Sequence, residues 1–444
     1  MPEMNPSLSA FLATRLIDRR GGHRRRVLTA LAEKTRINSS PSAEIENFQR
    51  AKLAALLRHV REKIPFYRDV LPPPQEISSG NSRELLKALP VVNRALVQRE
   101  GDRLCDPAAP FSAPDATGGS TGTPMSFRVD RETQIARESS LMWADGLAGW
   151  RYGERIAMLW GSDRDVRNAV AKGKSDLRWI VDNRRWFNTF DMGPERMAAY
   201  HEAIEKFAPH IIVAYAGSAF LFARFLRQRG LKPSYPLRGL ICSAEVLTPS
   251  MRREIEDVFG RPAFDRYGNR EFGAIAAEDA RHDGLVLNHA DCIVETGGAG
   301  QLMVTYLHNR AMPFLRYDTG DIGALRTDGR LQPVQGRRSD TIRTAGGKLI
   351  HGEYFTHLLY GCPAVSQFQF VQETECDYRL VVMAQREAAA GMEGRWRRDI
   401  LETVGEDARL VIEYVDRIPL LPSGKHKFTV SHLAGHLSGP VGDT

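Results

Sequence analysis

This sequence predicts an α/β protein, and three observations lead there. Short apolar runs, Arg155–Trp160 (RIAMLW), Ile211–Tyr215 (IIVAY) and Leu237–Cys242 (LRGLIC), are each followed by a helical pattern, and strands alternating with helices argue for βαβ units on a parallel sheet. From 284 to 335 the texture changes to short strands separated by Gly, Asp and Asn turns, the pattern of antiparallel structure. The C-terminal part again mixes strand and helix, with FQFVQET, YRLVVMA and ARLVIEYV reading as strands. The polar stretch Gly336–Asp340 (GRRSD) divides these parts. The expectation is a large N-terminal α/β domain over 1–336, with helices around mixed sheets, and a small α+β domain over 337–444.

Taken in order, residues 1–43 carry a basic stretch around 19–26 and are expected to be a flexible N-terminal segment. The positive charge follows the short apolar run and no small-residue cleavage site appears, so a secretory signal is not expected and a cytoplasmic location is. Residues 44–71 carry apolar side chains at helical spacing and run to Pro65, which predicts a long amphipathic helix with a stop. A second helical stretch is expected over 84–104. The longest uncharged apolar run, Ile211–Ala223, is shorter than the roughly 18 residues of a membrane span, so no span is expected.

Composition narrows the functional classes. The chain has 444 residues, 42% hydrophobic and 26% charged, in the range of ordinary globular domains. Its net charge of +7 comes from arginines spread along the chain, and no nucleic-acid-binding motif stands out. A protein that handles an anionic nucleotide accounts for the charge equally well. The five cysteines, Cys105, Cys242, Cys292, Cys362 and Cys376, form no C-x-x-C pair, and neither a disulfide framework nor a zinc knuckle is expected.

The run Asp115–Met125 (DATGGSTGTPM) concentrates glycines and hydroxyls. It lacks the Lys-Ser/Thr of a P-loop. It does contain G-x-S-x-G, which would make Ser120 a hydrolase nucleophile, but that elbow needs an apolar strand before it and a helix after it. Here SAPDAT precedes the loop and strand-like MSFRV follows. Backbone amides and hydroxyls converging on an anion remain, a cradle for terminal phosphates.

Four further motifs follow that loop: Tyr267-Gly-Asn-Arg-Glu271, Tyr317-Asp-Thr-Gly-Asp321, Gly336-Arg-Arg-Ser-Asp340 and Pro422-Ser-Gly-Lys425. In this order, with TGGSTGTP, IPFYRDV and SAEVLTPSMRREIEDVFG, the chain resembles the adenylate-forming (acyl-AMP) ligase superfamily. The likeness is to its branch with phenylacetate–CoA ligase, CapK-like proteins and coenzyme F390 synthetase, over roughly residues 45–430. The resemblance implies ATP-dependent joining of a carboxylic acid to the α-phosphate, then transfer of the acyl group, most directly to the thiol of CoA as co-substrate. It also implies a mobile C-terminal domain on a hinge at Ser339 and Asp340.

Residue by residue, the resemblance assigns the β- and γ-phosphates of ATP to Ser120, Thr121, Gly122 and Thr123. Ser243, Ala244, Glu245, Tyr267 and Gly268 would line the adenine site. Asp321 would accept the ribose hydroxyls, as a two-oxygen acceptor can, and Arg337 would contact ribose or phosphate. Glu271 would help to hold Mg²⁺. Lys425 would be the catalytic cation, a compact charge on a flexible stem. By analogy the acid pocket draws on Trp186, Phe187, Tyr215, Ala216 and Gly217, an aromatic set suited to an aryl or arylalkyl acid.

The sequence departs from the family pattern in places. Met125 stands where several members carry lysine, Ser339 falls at the usual hinge carboxylate, and His351 replaces a common proline. In the stretch that follows the YGNRE motif, AAEDARHDGLVLNHADC, Cys292 is the only thiol, so the metal site of some branch members is not expected as a structural zinc. An amine or hydroxyl acceptor therefore stays open beside CoA, as does a homodimer. The expected partners are small molecules, with nucleic acid excluded.

Overall fold

The computed structural model describes residues 22–109, 113–116, 125–160, 183–189, 192–298, 300–337, 341–360, 362, 364–384, 386–405, 407–419 and 427–433. The first helix, α1 (His23–Asn38), corrects the expectation of a flexible basic segment for residues 22–43. Val27 and Ile37 are buried, and the basic side chains find acids: Arg24 and His23 contact Glu138 at 2.7 and 2.9 Å, and Lys34 contacts Asp291 at 2.6 Å. Tertiary ion pairs, invisible in a local reading, turn that segment into a packed element.

Helix α2 (Ser42–Lys63) buries Leu53, Leu56, Leu57 and Val60. It stops eight residues short of the expected end because Pro65 pushes Ile64 into extended backbone, and a 3₁₀ turn, Pro65–Tyr67, follows. The stretch expected over 84–104 is two helices, α3 (Ser82–Ala88) and α4 (Arg94–Glu100). Pro90 lies between them, and the Asn93 side chain caps α4 by accepting from the Leu96 amide. A hairpin, β1 (Ala113–Ala116) and β2 (Ser126–Val129), leads into α5 (Arg131–Leu147).

The main sheet contains β3 (Ile156–Leu159), β4 (Arg184–Phe187), β5 (Ile211–Tyr215), β6 (Gly239–Ser243), β7 (Ala263–Asn269), β8 (Gly273–Glu278) and β9 (Leu285–Leu287). Their spatial order is β4-β3-β5-β6-β7-β8-β9, parallel through β7 and antiparallel at β8 and β9. Helices α6 (Pro194–Phe207), α7 (Ala216–Gln228) and α8 (Pro249–Phe259) make the crossovers. Ile212, Ala214, Leu240 and Cys242 pack toward α7 and α8 with Phe222 and Met251. Ile211, Val213, Ile241 and Phe264 pack on the other face with Val27, Ile135 and Met142. Cover on both faces is why these strands read as unbroken apolar runs rather than alternating ones.

A second sheet, β10 (Cys292–Thr296), β11 (Gln301–Tyr306), β12 (Tyr317–Ile322) and β13 (Gly336–Arg337), is wholly antiparallel. Beyond it lie β14 (Thr341–Arg343), β15 (Leu349–His351), α9 (Glu353–Tyr360), β16 (Val365–Gln372), β17 (Asp377–Ala384), α10 (Arg386–Val404), β18 (Arg409–Tyr414) and β19 (Thr429–Ser431). Strands β18-β17-β16-β19 form a sheet with its own core, where Phe355 stacks on Phe370 at 3.7 Å under the buried Trp396. All five cysteines are free thiols. No helix among the described residues is long and apolar enough to cross a membrane.

Candidate active site

The chain leaves β3 toward β4 on one side and leaves β5 toward β6 on the other. The carboxyl ends of β3 and β5 therefore flank a topological switch point, where open α/β sheets leave a crevice for ligands. At its mouth the Trp160 ring lies 4.1 Å from the Tyr215 ring. Ala216 and Gly217 open α7 directly after Tyr215.

One strand over, Ser243 ends β6 and donates from Oγ to the Arg266 carbonyl at 2.8 Å, fastening β6 to β7. Ala244 follows at φ 68°, in left-handed backbone that a non-glycine residue rarely adopts. Such a residue costs about 1–3 kcal/mol and is characteristic of functional turns. The turn delivers the Glu245 carboxylate to the amino end of α7, where Oε2 accepts from the Gly217 amide at 2.8 Å. Glu245 thus couples the end of β6 to the start of α7, a role that its expected place beside adenine did not include.

Strand β7 brings Tyr267 to the second sheet. The Tyr267 hydroxyl donates to Asp321 Oδ2 at 2.8 Å and lies 3.2 Å from Thr319 Oγ1. Asp321 reaches this position through an irregularity in β12. Two residues of β11, Gln301 and Met303, face the span from Ile322 back to Asp318, with Gly320 at φ 78°. A bulge built on left-handed backbone takes glycine, and it re-aims the side chains around it. Gly268 sits at a second register shift, between β7 and β8. In β13, Arg337 pairs directly with Asp321 through the backbone.

The ends of the glycine-rich run are fixed against the same motifs. Asp115 in β1 lies 3.6 Å from Arg270 Nη1 and accepts from Arg137 at 3.0 Å. At the other end, Met125 is fully buried and its Sδ lies 3.6 Å from the Tyr317 hydroxyl. Asp115 thus meets the turn that carries Glu271, and Met125 meets the strand that carries Asp321. Antiparallel strands on both sides, in register from Ala113↔Val129 to Ala116↔Ser126, are not the strand-to-helix elbow that a Ser120 nucleophile needs.

Glu271 is 6% exposed in the β7–β8 turn, where the Asn269 side chain accepts from the Phe272 amide at 2.9 Å. Behind it β7 is held by buried charge. Arg266 Nη1 donates to Asp145 at 2.8 Å, and Glu278 takes both Nη2 bonds of Arg252 at 2.9 Å. Loss of hydration, with the Glu278 carboxylate beside it, pushes Asp265 up to about 7.

The aromatic set expected to line one acid pocket does not stay together. Trp186 packs on the α1–α5 face of the sheet, whereas Phe187 is buried on the α6–α7 face against Tyr200. Neighbours on a strand point to opposite faces, so the two do not share a pocket and Phe187 is a core residue. Trp160, absent from the expected set, joins Tyr215 instead. Its position at the carboxyl end of the RIAMLW run was the available signal. Ser120, Thr121, Gly122, Thr123, Ser339, Asp340 and Lys425 lie outside the described residues.

Parallel strands with their carboxyl ends at a switch point, a bulged Tyr-Asp-Thr-Gly-Asp strand tied to Tyr267 and a separate C-terminal sheet define a class. The fold is that of the adenylate-forming ligase superfamily. Residues 342–432 match the CapK C-terminal domain. The chain is 20% identical to Protein CapK of Staphylococcus aureus over 88% of its own length and 90% of that protein's. It is 22% identical to phenylacetate-coenzyme A ligase of Thermus thermophilus, over 76% and 80%. Its fold matches a crystal structure of 2-hydroxyisobutyryl-CoA ligase in the postadenylation state, bound to 2-HIB-AMP. That match has a TM-score of 0.69 at 17% identity, covering 90% of this chain and 92% of the other.

Proposed function

We propose that this protein uses ATP to activate a carboxylic acid as its acyl adenylate and then transfers the acyl group to an acceptor thiol, that of CoA. The observation that carries this reading is the Tyr267–Asp321 clasp at the strand ends. In the first step a carboxylate oxygen bonds to the α-phosphorus as the bond to the departing pyrophosphate breaks. In the second, the thiol sulfur bonds to the acyl carbon, AMP leaves with the bonding electrons, and the thiol proton passes to solvent.

The chain's own groups act mainly by position and charge, since both reactants of the first step are anions. Asp321, oriented by Tyr267, accepts the ribose hydroxyls. Ser120, Thr121, Gly122 and Thr123 hold the β- and γ-phosphates. Ser243, Ala244, Glu245 and Gly268 border the base, and Arg337 adds charge beside the ribose. Mg²⁺ is held through one or two carboxylates plus substrate phosphates, which suits the shielded Glu271, and when bound it neutralises phosphate charge. Trp160 and Tyr215 offer a flat apolar wall to an aryl acid, with Ala216 and Gly217 leaving room beside it. Relatives named phenylacetate-coenzyme A ligase support this class of acid. The match of residues 342–432 to the CapK C-terminal domain supports a second reading, in which the acceptor is an amine or hydroxyl.

The test is acid-dependent exchange of labelled pyrophosphate into ATP across aryl, arylalkyl and aliphatic acids, followed by acceptor trials with CoA, amines and alcohols. Exchange with an aryl acid is expected; folded protein that exchanges with no acid would overturn adenylation. In the same assay Asp321→Ala is expected to raise the KM for ATP about tenfold to a hundredfold, because a charge-assisted hydrogen bond contributes about 1.5–3 kcal/mol. Tyr267→Phe keeps the ring and frees the carboxylate, so its KM should rise less, by about threefold to tenfold.

A further inference from the structure

Phe428 belongs to two cores at once. It packs against the α7–α8 side of the large sheet and also against the core of the C-terminal sheet. In the C-terminal part its ring lies 5.5 Å from Phe368. Its carbonyl accepts from the Phe370 amide at 2.8 Å, and the preceding Lys427 carbonyl accepts from Gln369 Nε2 at 2.9 Å. The segment is thus riveted to β16 on either side of the Phe428 ring.

Across the junction the ring meets the first turn of α7. A Cβ added at Gly217 would stand 3.7 Å from Phe428 Cζ and 3.0 Å from Glu245 Oε2. Glycine at this position lets the Glu245 carboxylate reach the 217 amide while the aromatic ring approaches the same turn. Two turns further along α7, the Arg224 guanidinium donates to the Val365 carbonyl at the start of β16 and lies 5.6 Å from the Phe220 ring. One face of α7, from Gly217 to Arg224, therefore receives the small sheet through one apolar knob and one hydrogen bond.

We propose that Phe428 is a positioning residue. Seated on Gly217 beside Glu245, and seconded by Arg224 on Val365, it sets the orientation of the C-terminal sheet in which acid activation takes place. The kinetic part of this inference rests on the adenylation reading above, while the docking part does not. Phe428 is three positions from Lys425, and three residues reach at most about 11 Å. As a positioning residue Phe428 acts on the rate of the first step rather than on ATP affinity.

The experiment compares the full-length wild type with Phe428→Ala, Phe428→Tyr and Arg224→Ala, all checked for a cooperative melt. For Phe428→Ala, kcat for pyrophosphate exchange is expected to fall about tenfold to a hundredfold, as displacement of a catalytic group by an ångström does. The KM for ATP should change less than about twofold. Acyl transfer to CoA from supplied acyl adenylate should stay near wild type, and Phe428→Tyr should restore most of the exchange. Arg224→Ala should show the same pattern, more weakly. Hydrogen exchange supplies a readout independent of activity: amides of residues 216–224 should exchange about tenfold faster in Phe428→Ala. Unchanged exchange of that segment, or equal losses in both half-reactions, would overturn the proposal. If the wild type activates no acid, the adenylation reading fails, and the hydrogen-exchange comparison still decides the docking.

Discussion

Lys425→Ala is expected to lower acid-dependent pyrophosphate exchange by about a hundredfold to a thousandfold, the usual loss when one preorganised donor to a developing charge is removed. The carboxylate and the α-phosphate repel each other until a cation stands between them, and no neutral side chain replaces that charge. Lysine suits the task because its ammonium is a point charge on a flexible stem. Single-turnover exchange with saturating ATP and acid measures the effect. Transfer to CoA from supplied acyl adenylate should be retained by the same variant, because by then the phosphoryl chemistry is complete. Exchange at wild-type rate would remove Lys425 from the mechanism.

Asp291→Ala is expected to destabilise the large domain by about 3–5 kcal/mol, the cost of leaving a buried charge without its partner. Lys34 and Asp291 are 3% and 0% exposed in their side chains, 2.6 Å apart. His308 Nε2 lies 2.7 Å from the same carboxylate oxygen. The Asn288 amide donates to the other oxygen at 2.8 Å and is itself joined to Asn38 at 3.1 Å. The carboxylate therefore ties α1 to the start of β10, and its loss frees the helix as well as stranding the ammonium. Urea unfolding followed by tryptophan fluorescence measures the difference. The double variant Lys34→Met/Asp291→Leu should return to within about 1–2 kcal/mol of wild type, since a packed apolar pair replaces a buried ion pair with little net change. A single variant as stable as wild type would show that the pair carries no such role.

The same group gives a pH signature. Burial alone would raise the Asp291 pKa, but the Lys34 ammonium and the His308 ring outweigh it and hold the carboxyl down at about 2. Its unfolded value is about 3.9. A carboxyl lowered on folding contributes stability that is fully present above that unfolded value and is lost as pH falls from about 4 toward 2. The stability gap between wild type and Lys34→Met/Asp291→Leu should therefore shift against the wild type across that acid window and stay flat above about pH 5.

How far the molecule was legible from its residues depended on whether the needed interactions were local. The parallel strands β3, β5 and β6 were readable because burial on both faces leaves nearly continuous apolar runs. Strand β7 was not readable, because Asp265, Arg266 and Asn269 give AFDRYGN the composition of a turn. Those polar groups sit inside the fold only because Asp145 waits opposite Arg266 and Arg252 opposite Glu278. Helix α1 was misread for the same reason: a basic run looks solvated until Glu138 and Asp291 are seen beside it.

By itself the sequence determined the α/β alternation, the antiparallel second sheet and the ordered motifs, because each rests on periodicity or on residue types within a few positions. Only the tertiary structure decided that Tyr267 clasps Asp321, that Glu245 reaches the Gly217 amide, and that Trp160 rather than Phe187 joins Tyr215. Those pairings depend on strand order, on the register shift that re-aims β12 and on which face of a strand a side chain takes. These quantities are set by contacts between residues far apart in the chain, and no local pattern encodes them.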